Sequence, residues 1–180
     1  MTSRGAVKIP DRTKLLYCLP KGGIVAELGV FCGEYSEEIL RYSTPEKLFL
    51  VDWWDDAEKP WPTKSAAKLC YKTVSILAQD NPKIKIEKKN AVDFLVRKPN
   101  NFFDWVYIDL DHSYEGTKKV LEVAESKIKK NGYIVGHDYT EKEGFGVIQA
   151  VDEFCASRRW VMESITTELH GYYSFALKKH

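Results

Sequence analysis

From residue 24 onward the chain alternates between short unbroken apolar runs and stripes of apolar residues at helical spacing. The runs at Ile24–Leu28, Lys47–Asp52, Phe103–Ile108 and 133–135 are rich in Val, Ile, Leu, Phe and Tyr, the pattern of strands buried on both faces. Ile84 and Ile86 alternate with lysines instead, which predicts a strand nearer an edge. Helices are predicted over 34–42, 63–79, 91–96, 115–129 and 147–155. The second carries Ala66, Leu69, Cys70, Val74 and Leu77 on one stripe and ends at Asn81-Pro82. In the fourth, Val120, Leu121, Ala124 and Ile128 face inward and Asn131-Gly132 supplies the stop. Runs at 160–166 and 172–177 read as two strands joined by a turn near His170-Gly171. Ahead of all this, 11–19 predicts a short helix closed by Pro20, Gly22 and Gly23.

Strands that alternate with helices imply an α/β fold with a doubly wound parallel sheet and helices on both faces. The last two strands have no helix between them and add an antiparallel hairpin at one edge. Ligands in such sheets bind beyond the carboxyl ends of the strands. With 180 residues and no repeat or low-complexity tract, the expectation is one domain over 21–180, preceded by an N-terminal segment 1–20 that forms a short helix or a lid.

Charge excludes some partners. The net charge is +1 with acids and bases interspersed, so no footprint for nucleic acid or an anionic membrane is expected. No apolar run approaches the roughly 20 residues a membrane helix needs, and residues 1–10 lack the apolar stretch of a signal peptide. Cys18, Cys32, Cys70 and Cys155 are far apart without a CxxC pair, and read as reduced thiols in a cytoplasmic protein.

The first strand runs into Glu27-Leu28-Gly29-Val30-Phe31-Cys32-Gly33 and then a helix. Gly29 and Gly33 let backbone approach a ligand with no Cβ in the way. The acid Glu27 in this turn suits a cationic or ammonium-bearing ligand better than a phosphate. The second strand ends in Asp52, where a carboxylate can accept both hydroxyls of a ribose. Together, the glycine turn and Asp52 point to a nucleoside. Trp53 and Trp54 either stack on adenine or form a small hydrophobic cluster. Asn90-Ala91, after the third strand, can offer an amide and a backbone N–H to the adenine edge. A dinucleotide fold would want G-x-G-x-x-G, which is absent.

The fourth strand finishes in Asp109-Leu110-Asp111-His112-Ser113-Tyr114 and the fifth in Gly136-His137-Asp138-Tyr139. Three carboxylates and two imidazoles converging at one sheet edge need a bridging cation, a bound amine or a hydrogen-bond network. Asp109 and Asp138, with His137 as a third ligand, can hold one divalent ion, and Asp111 or His112 is then placed to take a proton from a hydroxyl. Against this stand plainer roles: Asp109 orienting an ammonium group, His112 with Ser113 capping the next helix, His137 as a structural residue. Tyr114 and Tyr139 read as pocket walls and His170 as part of the hairpin turn.

These residues carry a resemblance. The chain resembles the class I S-adenosylmethionine (SAM)-dependent methyltransferases from Ile24 to Leu177, with Glu27, Gly29 and Gly33 matching the acid-x-Gly-x-Gly-x-Gly turn and Phe31 replacing its middle glycine. The segments around Asp109–Gly116, 132–139 and 146–154 are similar to the macrocin-type sugar O-methyltransferases. The resemblance implies a Rossmann-like sheet of seven strands with the terminal hairpin. It implies Gly29 against the methionine part of SAM, Asp52 on the ribose and Asn90-Ala91 beside the adenine, although the family usually has an acid at the Asn90 position. It also implies metal binding at Asp109 and Asp138 in metal-dependent relatives, and a base at Asp111 in sugar-modifying ones. His137 departs from the oxygen ligands preferred by magnesium, the ion of those relatives, which leaves open manganese, another transition metal or no metal at all.

The function expected is therefore methyl transfer from SAM to a hydroxyl of a small acceptor, a sugar or secondary metabolite, with an optional divalent metal. The alternatives are a metal-independent methyltransferase acting on an amine or nucleoside, and a non-catalytic SAM-binding module. Residues 55–62 and 140–146 are the segments expected to wall the acceptor pocket, and so spare a scaffold leaves that pocket open or completes it with a second subunit, as in a homodimer.

Overall fold

The structure, a computed structural model, describes residues 3–54 and 63–179. Each of the six α-helices among the described residues starts where the local chemistry supplies a start. Asp11 caps α1 (Arg12–Cys18), Thr63 caps α3 (Lys64–Gln79), Asn90 caps α4 (Ala91–Val96) and Ser113 caps α5 (Tyr114–Lys127), each side-chain oxygen accepting a free N–H of the first turn. The other two, α2 (Glu34–Ser43) and α6 (Val147–Ser157), follow Gly33 and Gly146.

The strands are β1 (Val7–Ile9), β2 (Ile24–Leu28), β3 (Lys47–Asp52), β4 (Ile84–Lys88), β5 (Phe103–Ile108), β6 (Ile128–Tyr139), β7 (Trp160–Thr166) and β8 (Tyr173–Lys179). They form one sheet in the order β1-β7-β8-β6-β5-β2-β3-β4. The strands from β2 to β6 run parallel, and β8 lies antiparallel to both β6 and β7. One face packs a core of Phe94, Phe103, Val106, Leu121, Val151 and their neighbours under α4, α5 and α6. The other packs Leu15, Leu16, Tyr35, Ile39, Trp105 and Tyr107 under α1, α2 and α3. The doubly wound α/β architecture with a C-terminal hairpin is as the alternating pattern predicts. The chain steps from β2 outward to β3 and β4, then returns to place β5 on the other side of β2. The carboxyl ends of β2 and β5 therefore flank the crevice where the strand order reverses.

Three features differ from the sequence reading. The sheet has eight strands, not seven, because Val7–Ile9 pairs parallel with β7 through Val7↔Ser164 and Ile9↔Thr166. Three residues are too few to show a period, so only the long-range pairing defines that strand. Helix α5 ends at Lys127, two residues early, because Ile128 already pairs with Phe103 in the sheet; Asn131 then turns the chain in a left-handed conformation. Finally, the thiols are not all reduced. Cys32, in the turn after β2, is disulfide-bonded to Cys70 of α3, while Cys18 and Cys155 are free. A separation of 38 residues hid the pair; packing α3 against the turn brings it together. No helix among the described residues is long and apolar enough to cross a membrane.

Burying Glu27 in β2 carries a cost. The residue is 2% exposed, and burial pushes its carboxyl up to about 8 despite a hydrogen bond donated by Ser36.

Two measurements check these features. Thiol titration in denaturant should find two reactive cysteines before reduction and four after, matching Cys18 and Cys155 free and Cys32–Cys70 bonded; four at the outset would remove the bond. The native Glu27 keeps its proton where the unfolded one has lost it, so folding stability should fall as pH rises from the ordinary 4.5 toward 8. Glu27→Gln should flatten that slope in urea unfolding and gain about 1 kcal/mol or more at pH 8. A glutamine variant that is less stable there contradicts the reading.

Candidate active site

The site begins where β2 and β5 end side by side. Asp109 donates its N–H to the Leu28 carbonyl at 2.8 Å, and Gly29 donates to Val51 at 2.9 Å. Gly29 has φ +91°, and a Cβ there would lie 1.6 Å from the Asp109 carbonyl oxygen, so no other residue fits. The chain then turns through Phe31 (φ +52°) and Gly33 (φ +87°) into α2. Phe31 stands where the resembled family has glycine, yet it adopts the left-handed backbone that glycine favours, at a cost of about 1–2 kcal/mol.

Asp52 holds this turn in place. One carboxylate oxygen accepts from Val30 and Phe31 N–H at 2.8 and 2.9 Å; the other accepts from Trp53 N–H at 2.6 Å and Trp54 N–H at 3.4 Å. It remains partly exposed at the mouth of the crevice. The two tryptophans part company. Trp54 is buried, donates its indole N–H to the Phe31 carbonyl at 2.8 Å and packs on Tyr71. Trp53 is 54% exposed, with a face open to a ligand. Asn90 spends its amide oxygen on Val92 and Asp93 N–H as the cap of α4, which leaves its NH₂ group for a ligand; the Ala91 side chain is buried in the core. Glu27 lies beneath the turn, bonded to Ser36.

At the other end, Asp109, His112, His137 and Asp138 meet. His112 Nε2 is 2.9 Å from Asp138 and 3.6 Å from Asp109; His137 Nδ1 is 3.1 Å from Asp138 and 3.9 Å from Asp109. Hydrogen bonding to Asp109 and to Asp138 pushes the His112 imidazole up to about 10. Burial opposes ionisation of Asp138, but the bonds from His112 and His137 outweigh it and hold the carboxyl well below the usual carboxylate range. The cluster is thus a protonated imidazole bridging two carboxylates. Asp138 reaches its place through a left-handed backbone, φ +56°.

One ligand atom each from Asp109, His137 and Asp138 lies within 4.8 Å of the others, a spacing that a divalent ion could close. Two oxygens and one imidazole nitrogen fit manganese better than magnesium.

Asp111 stands apart from this cluster. Its carboxylate folds back over the start of α5, accepting from the Ser113 N–H at 2.9 Å and from the Ser113 hydroxyl, while Ser113 caps the helix. Capping thus falls to Ser113 and Asp111, and His112 is released toward the acids. Tyr114 and Tyr139 give their hydroxyls to Glu153 and Asp152 of α6, and His170 accepts from Tyr172 N–H in the hairpin turn. The 140–146 segment sets Phe145 against the His112 ring at 4.4 Å, with Tyr172 beyond it. Residues 55–62 lie outside the described residues. Two neighbours of the site were not legible beforehand: Cys32, bonded to Cys70, and Arg12, whose guanidinium covers the Tyr35 ring at 4.7 Å. A lone arginine after Pro10 carries no sequence signal.

Many solved structures share the fold. A candidate rRNA methylase from Clostridium thermocellum has 13% identity and a TM-score of 0.69, covering 96% of this chain and 98% of its own. A candidate methyltransferase from Streptococcus mutans in complex with SAH has 10% identity and a TM-score of 0.65, covering 93% and 95%. Spermidine synthase from Thermotoga maritima has 16% identity and a TM-score of 0.62; 99% of this chain spans 57% of that one. No curated protein sequence matches. The sequence profile of a methyltransferase domain family does match, over residues 26–139, from the strand before the glycine turn to the end of the acidic cluster. The chain belongs to that methyltransferase domain family.

Proposed function

We propose that the protein transfers the methyl group of SAM to a hydroxyl of a small acceptor, a sugar or secondary metabolite. One observation carries the reading: the glycine turn pinned by Asp52 opens directly onto the Asp109–His112–Asp138 cluster. On this reading the nucleoside lies along the turn, with its ribose at Asp52, its adenine between Trp53 and Asn90-Ala91, and its methionine end over Gly29. Glu27 and Gly33 support the turn from below and behind.

Methyl transfer to oxygen needs the acceptor hydroxyl held in line with the sulfonium methyl and relieved of its proton. Asp109 and Asp138 supply acceptors that orient the hydroxyl. His112 is charged while it bridges both acids and has no lone pair to give. When the acceptor hydroxyl takes over one of those carboxylate contacts, the proton affinity of His112 falls; the imidazolium then releases a proton to solvent, and the neutral ring can accept the hydroxyl's proton as the methyl is transferred. Phe145 offers the acceptor a flat apolar wall beside that imidazole. Where a divalent ion is used, Asp109, His137 and Asp138 would hold it, and it would supply Lewis acidity toward the hydroxyl. The His112 cation competes for the same two carboxylates.

Titration calorimetry should show SAM and S-adenosylhomocysteine binding at micromolar concentration; no heat up to millimolar ligand rejects the proposal. In a methyl-transfer assay with a hydroxylated acceptor, His112→Gln and Asp138→Asn should each lower kcat by about 10²-fold or more while leaving S-adenosylhomocysteine affinity within a few-fold. Asp111→Asn should cost less than about 10-fold, because that carboxylate serves the start of α5; a larger loss would make Asp111 the base. For the ion, manganese should bind the wild type, more tightly His112→Gln, and not Asp138→Asn. Activity indifferent to EDTA, with no manganese heat, would leave the bridged His112 as the site's cation and favour the metal-independent form.

A further inference from the structure

We propose that Arg12 anchors the carboxylate of the methyl donor, so that a segment outside the matched family region, residues 26–139, completes the cofactor site. This rests on the methyl-donor reading above.

The methionine end of SAM is a zwitterion, and its ammonium and carboxylate need partners of opposite sign. The crevice is rich in carboxylates: Asp52 and Asp109 both border the glycine turn, above the buried Glu27. These serve an ammonium and repel a carboxylate. The cation that bears on this group of acids from the turn's side is Arg12. Both Glu27 and Tyr107 respond to its charge, and it responds in turn to Asp109. His112 and His137 lie at the reactive end, already engaged with Asp109 and Asp138.

The position of Arg12 is built. Helix α1 is set by the Asp11 cap and by Arg12 N–H donating to Glu168 at 2.7 Å, with Leu15 and Leu16 buried in the core below α2. Tyr35, in the first turn of α2 just past Gly33, donates its hydroxyl to the Arg12 carbonyl at 3.3 Å and gives its ring face to the guanidinium. Tyr35 packs in turn on Tyr107, two residues before Asp109, at 4.4 Å between centroids. The arginine is thus held between the start of α2 and the end of β5, the two walls of the methionine end.

Around its guanidinium a contacting counter-charge is lacking among the described residues, because the Glu168 carboxylate meets the Arg12 backbone N–H instead. The groups in contact are two phenols, both pushed upward by burial and so neutral, and Glu27 is largely protonated near neutral pH. Among the described residues no carboxylate forms an ion pair with it; Asp109 acts on it only at longer range. A half-buried cation without a contacting anion costs free energy, and a ligand carboxylate would offset that cost through paired, charge-assisted hydrogen bonds.

The experiment compares S-adenosylhomocysteine with its decarboxylated form, the same molecule with ammonium but no carboxylate, by titration calorimetry on the whole chain. The wild type should prefer the carboxylate-bearing ligand by about 10-fold or more. Arg12→Gln should erase that preference by weakening S-adenosylhomocysteine alone, and Arg12→Lys should keep part of it. Equal affinity of the wild type for the two ligands overturns the proposal with no variant needed. So does an Arg12→Gln variant that weakens both equally, the signature of a merely structural arginine, or one that weakens neither. If the wild type binds neither ligand, the methyl-donor reading falls and takes this inference with it.

Discussion

Everything at this site depends on one backbone contact, the passage of Gly29 against the carbonyl of Asp109. The two strands that end there are neighbours only because the chain reverses its direction of travel across the sheet between β4 and β5. A side chain at residue 29 would collide with β5 and push the turn outward. With glycine in place, the turn lies flat against the end of β5. Asp52 can then reach its N–H groups, and the acids of β5 and β6 come to face the same crevice. The left-handed Phe31 and the Cys32–Cys70 bond lie along the same turn. The strain of the left-handed Phe31 is sustained by the surrounding structure.

The electrostatics of the crevice follow from its crowding. Four carboxyl groups, Glu27, Asp52, Asp109 and Asp138, lie near one another in partial or complete burial, and each has its own solution. Glu27 stays protonated beneath the turn. Asp52 is met by four backbone N–H groups. Asp109 and Asp138 share the charge of His112. This division separates the crevice into the Asp52 end, where backbone dipoles do the compensating, and the Asp109–Asp138 end, where a titratable imidazole does. Arg12 stands beside the first end with its charge uncompensated by contact, which is why a donor carboxylate is its natural complement.

Much of this was legible in the sequence because it is local. Apolar runs of five or six residues, helical stripes and Asn81-Pro82 each act within a turn or two, and the elements they predict are those found. The candidate site residues at 27–33, 52 and 109–112 follow the same logic: each lies at the end of a predicted strand, and parallel strands point their ends the same way. The refinements came from contacts distant in the chain. Trp53 and Trp54 are indistinguishable neighbours until the Phe31 carbonyl claims one of them. Asp111 and His112 are indistinguishable as neighbours in the sequence; in the fold Ser113 holds the first over the start of α5 and Asp138 meets the second.

The sequence by itself determined the layered α/β architecture, the family's glycine turn and the strand ends at which chemistry is possible. Those follow from periodicity and backbone sterics, which act over a few residues. Tertiary structure alone decided that Val7–Ile9 joins the sheet, that Cys32 meets Cys70, that His112 lies between two acids and that Arg12 covers the ring of Tyr35 just past the glycine turn. Each joins residues brought together by the order of strands in the sheet and the packing of helices on it. No local pattern encodes that order, because closing a long loop is favourable only once the whole core is buried.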